Sequence, residues 1–375
     1  MLKGVNLSLL IGPGVPVPAP QSVIDSLQSV QVNHGSNGNG FDLSFKVAKN
    51  SPLTSTLLPA GYFDPIITRV MIIVTLNGLP NMIMDGFVTQ QDVAPSNEVG
   101  QSTLSIKGKD LSLAMDLVEL TLPYPALNDT LQVLTILARY AWLGITPLVI
   151  PSIIPVVKTP VQGWESQSSQ TDLEYLSELA RRVGYIFQVI PGPLPGQSIA
   201  YWGPDANLPV PQPALSIDMD AHTNVESLSF SLNVESKEIK IFKILDPITK
   251  KIPIPIPVPN VNIFKPPLGI RPTPPAKITF DKSSAKSEPV AAARDILAHL
   301  MNGANAVSAN GSLDVLRYGH ILRSRMLVGV RGASLAYNGL YYVDSVSHNI
   351  KAGEYKQNFS LSRDGLISNT PRVLP

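Results

Sequence analysis

Proline distribution limits this fold more than any other feature of the chain. There are 35 prolines in 375 residues, where an average chain of that length holds about 19. They cluster at residues 13–20, 147–160, 191–213 and 253–275. Proline has no amide hydrogen, so a central strand cannot be built from such stretches. The last one, IPIPIPVPNVNIFKPPLGIRPTPP, alternates isoleucine with proline and is expected to lie as polyproline II. It reads either as a stiff spacer or surface loop, or as an arm that docks on a neighbouring subunit. Ile252, Ile254, Ile256, Val258, Ile263 and Phe264 are too apolar for a well-solvated linker, which favours the arm.

Between the proline clusters the pattern is mostly that of strands. Ser26–Asn33 and Phe41–Lys49 alternate around the loop NHGSNGNG, which lacks the Gly-Lys-Ser/Thr ending of a phosphate cradle. Ile66–Leu76 and Met82–Gln90 form a second hairpin with its turn near Asn77-Gly78. Ser102–Lys107 follows, and roughly five strands in this first region suggest a small barrel or sandwich. A second β region holds Leu215–Met219, Glu226–Glu235, Ala306–Leu313, Met326–Val330, Leu340–Ser347 and Tyr355–Ser362, with Asn338-Gly339 as a turn signal. In Glu226–Glu235, Leu228, Phe230, Leu232 and Val234 alternate with polar residues, as one buried face requires.

Three helices interrupt this pattern. Asn128 caps the first, from Asp129 to Leu143, with Leu131, Leu134, Ala138 and Ala141 as its apolar positions and Gly144 as its stop. The second lies in WESQSSQTDLEYLSELARRVGYIFQV, Trp164–Val189, a loop, capped helix, turn and strand. Thr171 and Glu174 have capping-box spacing. Leu173, Leu176, Ala180 and Val183 share a face, Arg181 and Arg182 sit at the negative end of the helix dipole, and Gly184 ends it. Ser198–Trp202 pairs back on the strand at 185–190, which completes a small α/β module. The third helix runs from about Pro289 to Met301, with Ser287 and Glu288 near its start.

Composition narrows the function. Hydrophobic residues are 44% of the chain, enough for real cores, but only 15% is charged against about 25% usually. Such a surface fits either a compact two-domain monomer or a subunit largely covered by others. The net charge of +1 gives no pull toward nucleic acid or an anionic membrane. The absence of cysteine excludes disulfides and thiolate metal sites. The N-terminal apolar run is broken by Gly12, Pro13, Gly14, Pro16 and Pro18 and makes a poor signal peptide. The best membrane-span candidate, Ile145–Val157, is too short and carries three prolines.

Catalytic patterns are missing. There is no G-x-S-x-G, H-E-x-x-H or Walker sequence. His34, His222, His299, His320 and His348 lack ligand spacing, and His348 is read as capping or packing at a strand end. Asp218 and Asp220 would share a strand face, as a paired-carboxylate site or, on the plainer reading, as a solvated face. Arg323, Arg325, Arg331, Lys237, Lys240, Lys250 and Lys251 make a modest basic excess near Tyr337, Tyr341 and Tyr342, which fit barrel strands as well as a stacking platform. We therefore expect no catalytic, cofactor-binding or metal-binding residues.

Three segments resemble the tail hub of contractile injection systems, the phage late-control D family and the N-terminal part of type VI secretion spike proteins. They are the 129–143 helix with the Trp164–Val189 unit closed by Tyr201-Trp202-Gly203-Pro204, the run Tyr337–Leu366 (YNGLYYVDSVSHNIKAGEYKQNFSLSRDGL), and the strand and Lys109-Asp110 step that end the first β region. In the second segment Gly339, Tyr342-Val343, Val346, His348, Tyr355 and the strand ending at Arg363 fall on the family's closing strands. The insertions at 145–161 and 250–275 look longer than usual for it.

The resemblance implies a mainly β fold with an α/β insertion: two tandem tube-like small β-barrels flanking a small α/β module. Residues 1–20 would be a proline-rich N-terminal tail, 21–118 the first barrel and 119–213 the module; 214–245 with 306–366 would form the second barrel, 246–275 the arm, 276–305 a helical insertion and 367–375 a C-terminal tail. The family implies a homotrimer whose pseudo-six-fold ring joins a hexameric inner tube to a trimeric spike within a baseplate. It needs no nucleic-acid contact and no membrane span. Such a particle is assembled in the bacterial cytoplasm as a phage tail or a tail-like device. The strands end close to Pro375, so the spike is expected as a separate chain. A β-rich binding module (an adhesin or carbohydrate binder) and a wall-cleaving hub enzyme are the alternative classes; the first wants an aromatic platform, and aromatics are 6%.

Overall fold

A computed structural model describes residues 4–35, 38–48, 51–98, 101–155, 165–205, 208–245, 253–281, 289–370 and 373. The protein is mainly β with a small α/β module between two β regions. The first region comprises β1 (Val5–Pro13), β2 (Val17–Pro18), α1 (Gln21–Ser26), β3 (Leu27–His34), β4 (Gly40–Val47), β5 (Thr68–Leu76), β6 (Leu79–Ala94) and β7 (Ser102–Asp110). Residues 5–13 were expected in a tail. They are instead a full partner of β5, from Val5 opposite Leu76 to Pro13 opposite Thr68. Proline spares them because it enters only at the strand end. Asn77 and Gly78 both take positive φ in the β5–β6 turn, as the right-handed twist of a tight hairpin demands.

β6 is long because it serves two partners. Its first half pairs β5 and its second half pairs β7. The bend falls at Gly86, where a Cβ would stand 2.0 Å from the Lys109 carbonyl oxygen. Only glycine allows the two backbones to meet so closely there.

The module comprises β8 (Glu119–Tyr124), α2 (Asp129–Ala138), β9 (Ile145–Val149), β10 (Glu165–Thr171), α3 (Asp172–Arg182), β11 (Tyr185–Pro191) and β12 (Ser198–Pro204). β9 lies in a proline cluster yet pairs parallel with β12 at the edge of a three-stranded sheet, where an unpaired side is tolerated. The capping box is present: Thr171 Oγ1 accepts from Glu174 N at 3.2 Å, and Glu174 Oε2 accepts from Thr171 N at 3.0 Å. Gly184 follows α3 at φ 74°, and a Cβ there would lie 2.6 Å from Ala298 Cα. It is thus both helix stop and packing gap. Asn128 caps α2 through Leu131 N at 2.9 Å.

The face of α2 differs from expectation. Leu131, Leu134, Ala138 and Ala141 are exposed, while Val133, Ile136 and Leu137 are buried. Both sides of this helix are apolar, so periodicity alone could not choose between them.

The remaining chain holds β13 (Leu208–Ser216), β14 (Ser227–Leu232), β15 (Glu238–Leu245), β16 (Pro253–Pro259), β17 (Gly269–Arg271), β18 (Lys277–Phe280), α4 (Pro289–Met301), β19 (Val307–Asp314), α5 (Val315–Tyr318), β20 (Met326–Arg331), β21 (Gly339–Lys351), β22 (Glu354–Arg363) and β23 (Leu366–Ser368). Ser287 and Glu288 lie outside the described residues, as does Trp164.

The two β regions do not close into separate barrels. They form one open thirteen-stranded sheet, ordered β14-β19-β22-β21-β3-β4-β7-β6-β5-β1-β2, with β20 on β21 and β13 on β20. β21 is the junction. One edge pairs β22; on the other, Gly339–Tyr342 pairs β20 and Val346–Lys351 pairs β3. A single core accordingly spans both regions, from Leu43, Phe45 and Val70 to Val307, Tyr341 and Leu361. The module has its own core around Val133, Tyr175, Leu176 and Trp202.

Residues 238–245, assigned from sequence to the second barrel, leave the large sheet. β15 pairs antiparallel with β16 and parallel with β18 in a separate small sheet. The Ile-Pro segment is therefore an edge strand and not polyproline II. Alternate residues of a strand point their backbone groups to opposite edges. Val258, Ile256 and Ile254 stand opposite Lys240, Phe242 and Ile244, and the prolines between them turn their hydrogen-free nitrogens outward. Alternation is what permits the pairing.

Candidate assembly surfaces

Buried polar contacts fix the three parts together. Arg69 grips Asp85 with two bonds of 2.7 Å, and both side chains are buried. Ser198 Oγ of the module donates to the same carboxylate at 3.1 Å, so the pair clamps β12 onto β5 and β6. Asn39 Nδ2 adds a bond to the Val189 carbonyl at 3.0 Å. Within the module, Asp172 accepts from Arg139, Tyr140 and Gln167. Lys237, at the root of the small sheet, is buried on Asp364 at 2.9 Å and donates to the carbonyls of Asn260 and Ala304. α4 fills the space between module and small sheet: Arg294 reaches Asp129 at 2.5 Å, and His299 packs edge-on against Phe242.

The β3–β21 junction carries a buried histidine. His348 Nδ1 lies 2.7 Å from the Tyr355 hydroxyl, and its ring meets His34 edge-on at 5.3 Å. Burial holds His348 well below the ordinary histidine range, with His34 and Arg323 acting in the same direction. Burial lowers His34 too. His348 was expected at a strand end; it sits inside β21, and its role is packing.

Two open surfaces stand out. One is a polar groove of about 770 Å³ above this junction, lined by Ser227, Ser229, Asn310, Ser345, Ser347 and Ser360. Its walls are uncharged, and its hydroxyls partly satisfy each other: Ser227 bonds Ser312 at 2.8 Å and Ser345 bonds Ser360 at 2.6 Å. It can offer hydrogen bonds but no ion pair. The alternation in β14 made Ser227 and Ser229 legible as an outward face. The other surface is an apolar groove of about 300 Å³, with Phe87, Leu113 and Leu143 inside and Ile66, Ile67, Leu117 and Trp142 at its mouth. Ile66 and Ile67 were expected in the strand 66–76 and Trp142 in the helix 129–143; the strand begins at Thr68 and the helix ends at Ala138, which leaves these residues in short exposed turns.

The candidate chemical groups stay apart. Asp218 and Asp220 are not on a strand. Both take positive φ in an exposed turn after β13, which is the solvated reading. The basic residues serve structural contacts: Arg325 lies 4.4 Å over the Tyr201 ring, Arg331 bonds Ser216 and Lys240 pairs with Asp281. Lys250 and Lys251 lie outside the described residues. Tyr341 and Tyr342 are buried, and Tyr337 stacks on Phe230. Among the described residues no group of three histidines or carboxylates could hold a metal ion, and no helix is long and apolar enough to cross a membrane.

No protein-family model matches the sequence, and no curated protein matches it. Solved structures do. The tail protein from Neisseria meningitidis aligns with a TM-score of 0.63 at 13% identity, over 99% of this chain and 100% of that one. The 43 kDa tail protein of prophage MuSo2 from Shewanella oneidensis gives 0.62 at 13% identity, over 96% and 98%. An E. coli component of the type VI secretion system, described as similar to T4 bacteriophage tail proteins gp27 and gp5, gives 0.54 at 10% identity, over 93% and 77%. From end to end, this chain has the fold of phage tail proteins and of that secretion-system component.

Proposed function

We propose that this chain is the structural baseplate hub of a contractile injection particle, a homotrimeric adaptor that joins a hexameric inner tube to a separate trimeric spike. One observation carries the reading: the fold matches phage tail proteins over the whole of both chains, not over one shared domain. The likeness to a type VI secretion-system component that is itself similar to two T4 tail proteins supports a place in a tail or tail-like device. Two β regions in one chain would let three chains present six tube-like faces. The particle would assemble in the bacterial cytoplasm as a phage tail or a tail-like device, with other baseplate components around it.

The role is mechanical and needs no catalytic group, cofactor or nucleic-acid contact. The purified chain, alone and with its tube and spike partners, is expected to run at three times the chain mass and to show a ring when imaged down its axis. A stable monomer at micromolar concentration in both preparations overturns the hub reading. Wall clearing that is lost on Asp218→Asn or Asp220→Asn would instead make the hub an enzyme.

A further inference from the structure

A recess of about 370 Å³ opens where the parts of the chain meet. Asp205 enters it from just beyond β12, Asn262 and Lys265 from the loop after β16, and Asn305 from the turn after α4. Asp344 of β21 and Ser362 of β22 complete the wall on the large sheet. Binding sites favour such junctions, and the hub reading makes no use of this one.

Local structure aims Asp344 at the recess. Val343 stands opposite Leu361 and Ser345 opposite Ser360, which are neighbours on β22, so Asp344 is the extra residue of a β-bulge. A bulge re-aims one side chain and is common beside functional sites. Ser362 Oγ donates to Asp344 Oδ1 at 2.9 Å. That spends its only hydrogen, so Ser362 accepts from Asn305 Nδ2 at 2.9 Å, and the Asn305 amide is fixed in orientation. Asn262 is fixed in the same way. It is only 6% exposed, and its Oδ1 accepts from the backbone amides of Phe264 at 2.9 Å and Lys265 at 3.0 Å.

The groups left open define the ligand. Among the described residues Asp344 Oδ2 and Asn305 Oδ1 accept no bond, and Asn262 Nδ2 donates none. The charge on Asp205 is answered by Lys265 at 2.5 Å and Arg325 at 3.8 Å. Asp344 has no cation of its own. Loss of solvent around it raises its carboxyl above the usual range, against the lowering by Ser362 and Lys265. The recess therefore asks for a cationic donor with an acceptor beside it. A guanidinium pairs best with both oxygens of a carboxylate, and Ser362 holds one of them. A lysine side chain has three donors but no acceptor, and would leave the Asn262 amide unused. An amino sugar has both groups, but its ring wants an aromatic wall, and no aromatic residue lines the recess. A chain amino terminus carries an ammonium one carbon away from its first carbonyl.

We propose that this recess binds the amino terminus of another polypeptide, its α-ammonium on Asp344 Oδ2 and Asn305 Oδ1 and its first carbonyl on the Asn262 amide. Capture of an amino terminus is an established mode of peptide recognition. The inference does not depend on ring assembly.

The test is calorimetric titration of the full-length protein with alaninamide, the smallest probe that carries both groups. Saturable binding of one alaninamide per chain is expected, and none of N-acetylalaninamide. Nα-acetyl-lysine amide, glucosamine and methylguanidinium should bind at least about tenfold more weakly. Asp344→Asn should weaken alaninamide by at least about tenfold, with a melting curve like the parent's, while Asp218→Asn, an exposed acid elsewhere, should change nothing. Affinity of the parent should also fall above about pH 8 as the amine loses its proton, a readout that needs no variant. Absence of saturation, equal binding of the acetylated probe, no loss of affinity above pH 8 or an unchanged Asp344→Asn affinity each overturns the site. Equal binding of glucosamine, methylguanidinium or the lysine amide overturns the choice of an amino terminus. A monomeric chain that binds alaninamide as expected would sink the hub reading and leave this one standing.

Discussion

The two sheets of this protein spend their apolar residues differently. In the large sheet β5 is buried along almost its whole length, and Phe45, Ile72 and Leu361 are sealed in a core shared by both β regions. In the small sheet α4 covers one face, and on the other Ile278 and Phe280 are more than half exposed. Equal hydrophobicity thus has two uses. Burial of a large apolar side chain contributes roughly 1.5–3 kcal/mol to folding, whereas an exposed one contributes almost nothing until something covers it. Stability should reside in the large sheet, and association in the small one.

The sharpest way to break this contrast is to remove a side chain from the shared core. Phe45 is fully buried against Phe63, with ring centroids 5.5 Å apart. Phe45→Ala is expected to destabilise the protein by about 3–5 kcal/mol. Because one core spans both β regions, denaturant melts followed in each region should shift together. Two separate transitions, only one of them moved, would show that the regions fold as independent barrels after all.

The module allows the same contrast between its two main helices. Leu176 of α3 is fully buried and Leu134 of α2 is exposed. Leu176→Ala should cost about 2–5 kcal/mol, and Leu134→Ala less than about 0.5 kcal/mol. Calorimetry of the two proteins checks both values; a large loss from Leu134→Ala would mean that α2 presents its Leu131–Leu134 side to the core.

Acid should act on the β3–β21 junction. His348 and His34 both have pKa values lowered by burial, so the fold favours their neutral forms. That contribution to stability is fully present above the unfolded histidine value of about 6.5 and is lost as pH falls below it toward the folded value. The groups facing His348 are His34, Tyr355, Gln357 and Arg323, none of them a carboxylate that could hold the imidazolium. His348→Gln should flatten the decline of melting temperature between pH 7 and 5 relative to the parent. An unchanged slope would place the acid sensitivity elsewhere.

Legibility in the sequence followed the range of the interactions. Local signals read correctly: the Thr171–Glu174 box, the Asn128 cap and the Asn77-Gly78 turn are all decided within a few residues. The α2 face did not, because Leu131 and Leu134 compete with Val133, Ile136 and Leu137 on one helix. The Ile-Pro segment read as polyproline because its strand character depends on β15 lying alongside it. The fusion of two expected barrels rests on Val346 meeting His34, a pairing of residues far apart in sequence that no local pattern announces. Of the surfaces, the serine face was visible through alternation, while Ile66, Ile67 and Trp142 were read into the neighbouring strand and helix, whose ends a local pattern fixes poorly. The low charge content and the apolar Ile-Pro segment were the sequence features that fit a subunit covered by others.

A smaller effect tests the cap alone. Thr171 Oγ1 satisfies one orphan amide at the start of α3 and also donates to Asp116 at 3.0 Å. Thr171→Ala should cost about 1 kcal/mol through the lost cap, well below Leu176→Ala. Equal losses in the two variants would show that the helix is held by its end and not by its face.

The smallest expected effect bears most directly on the small sheet. Phe280 is 58% exposed, and its ring meets the Lys243 ammonium over its face. An exposed cation–π contact is worth about 0.5–1 kcal/mol at most, and surface changes usually stay within about 0.5 kcal/mol. Phe280→Ala should therefore leave the melting curve of dilute protein nearly where it was. A loss comparable to that of Phe45→Ala would mean that Phe280 is already packed within its own chain, and the contrast between the two sheets would fail. A near-zero loss in dilute solution, growing as the protein concentration rises, is the signature of a side chain buried only on association, since mass action then adds the assembly energy to the parent alone.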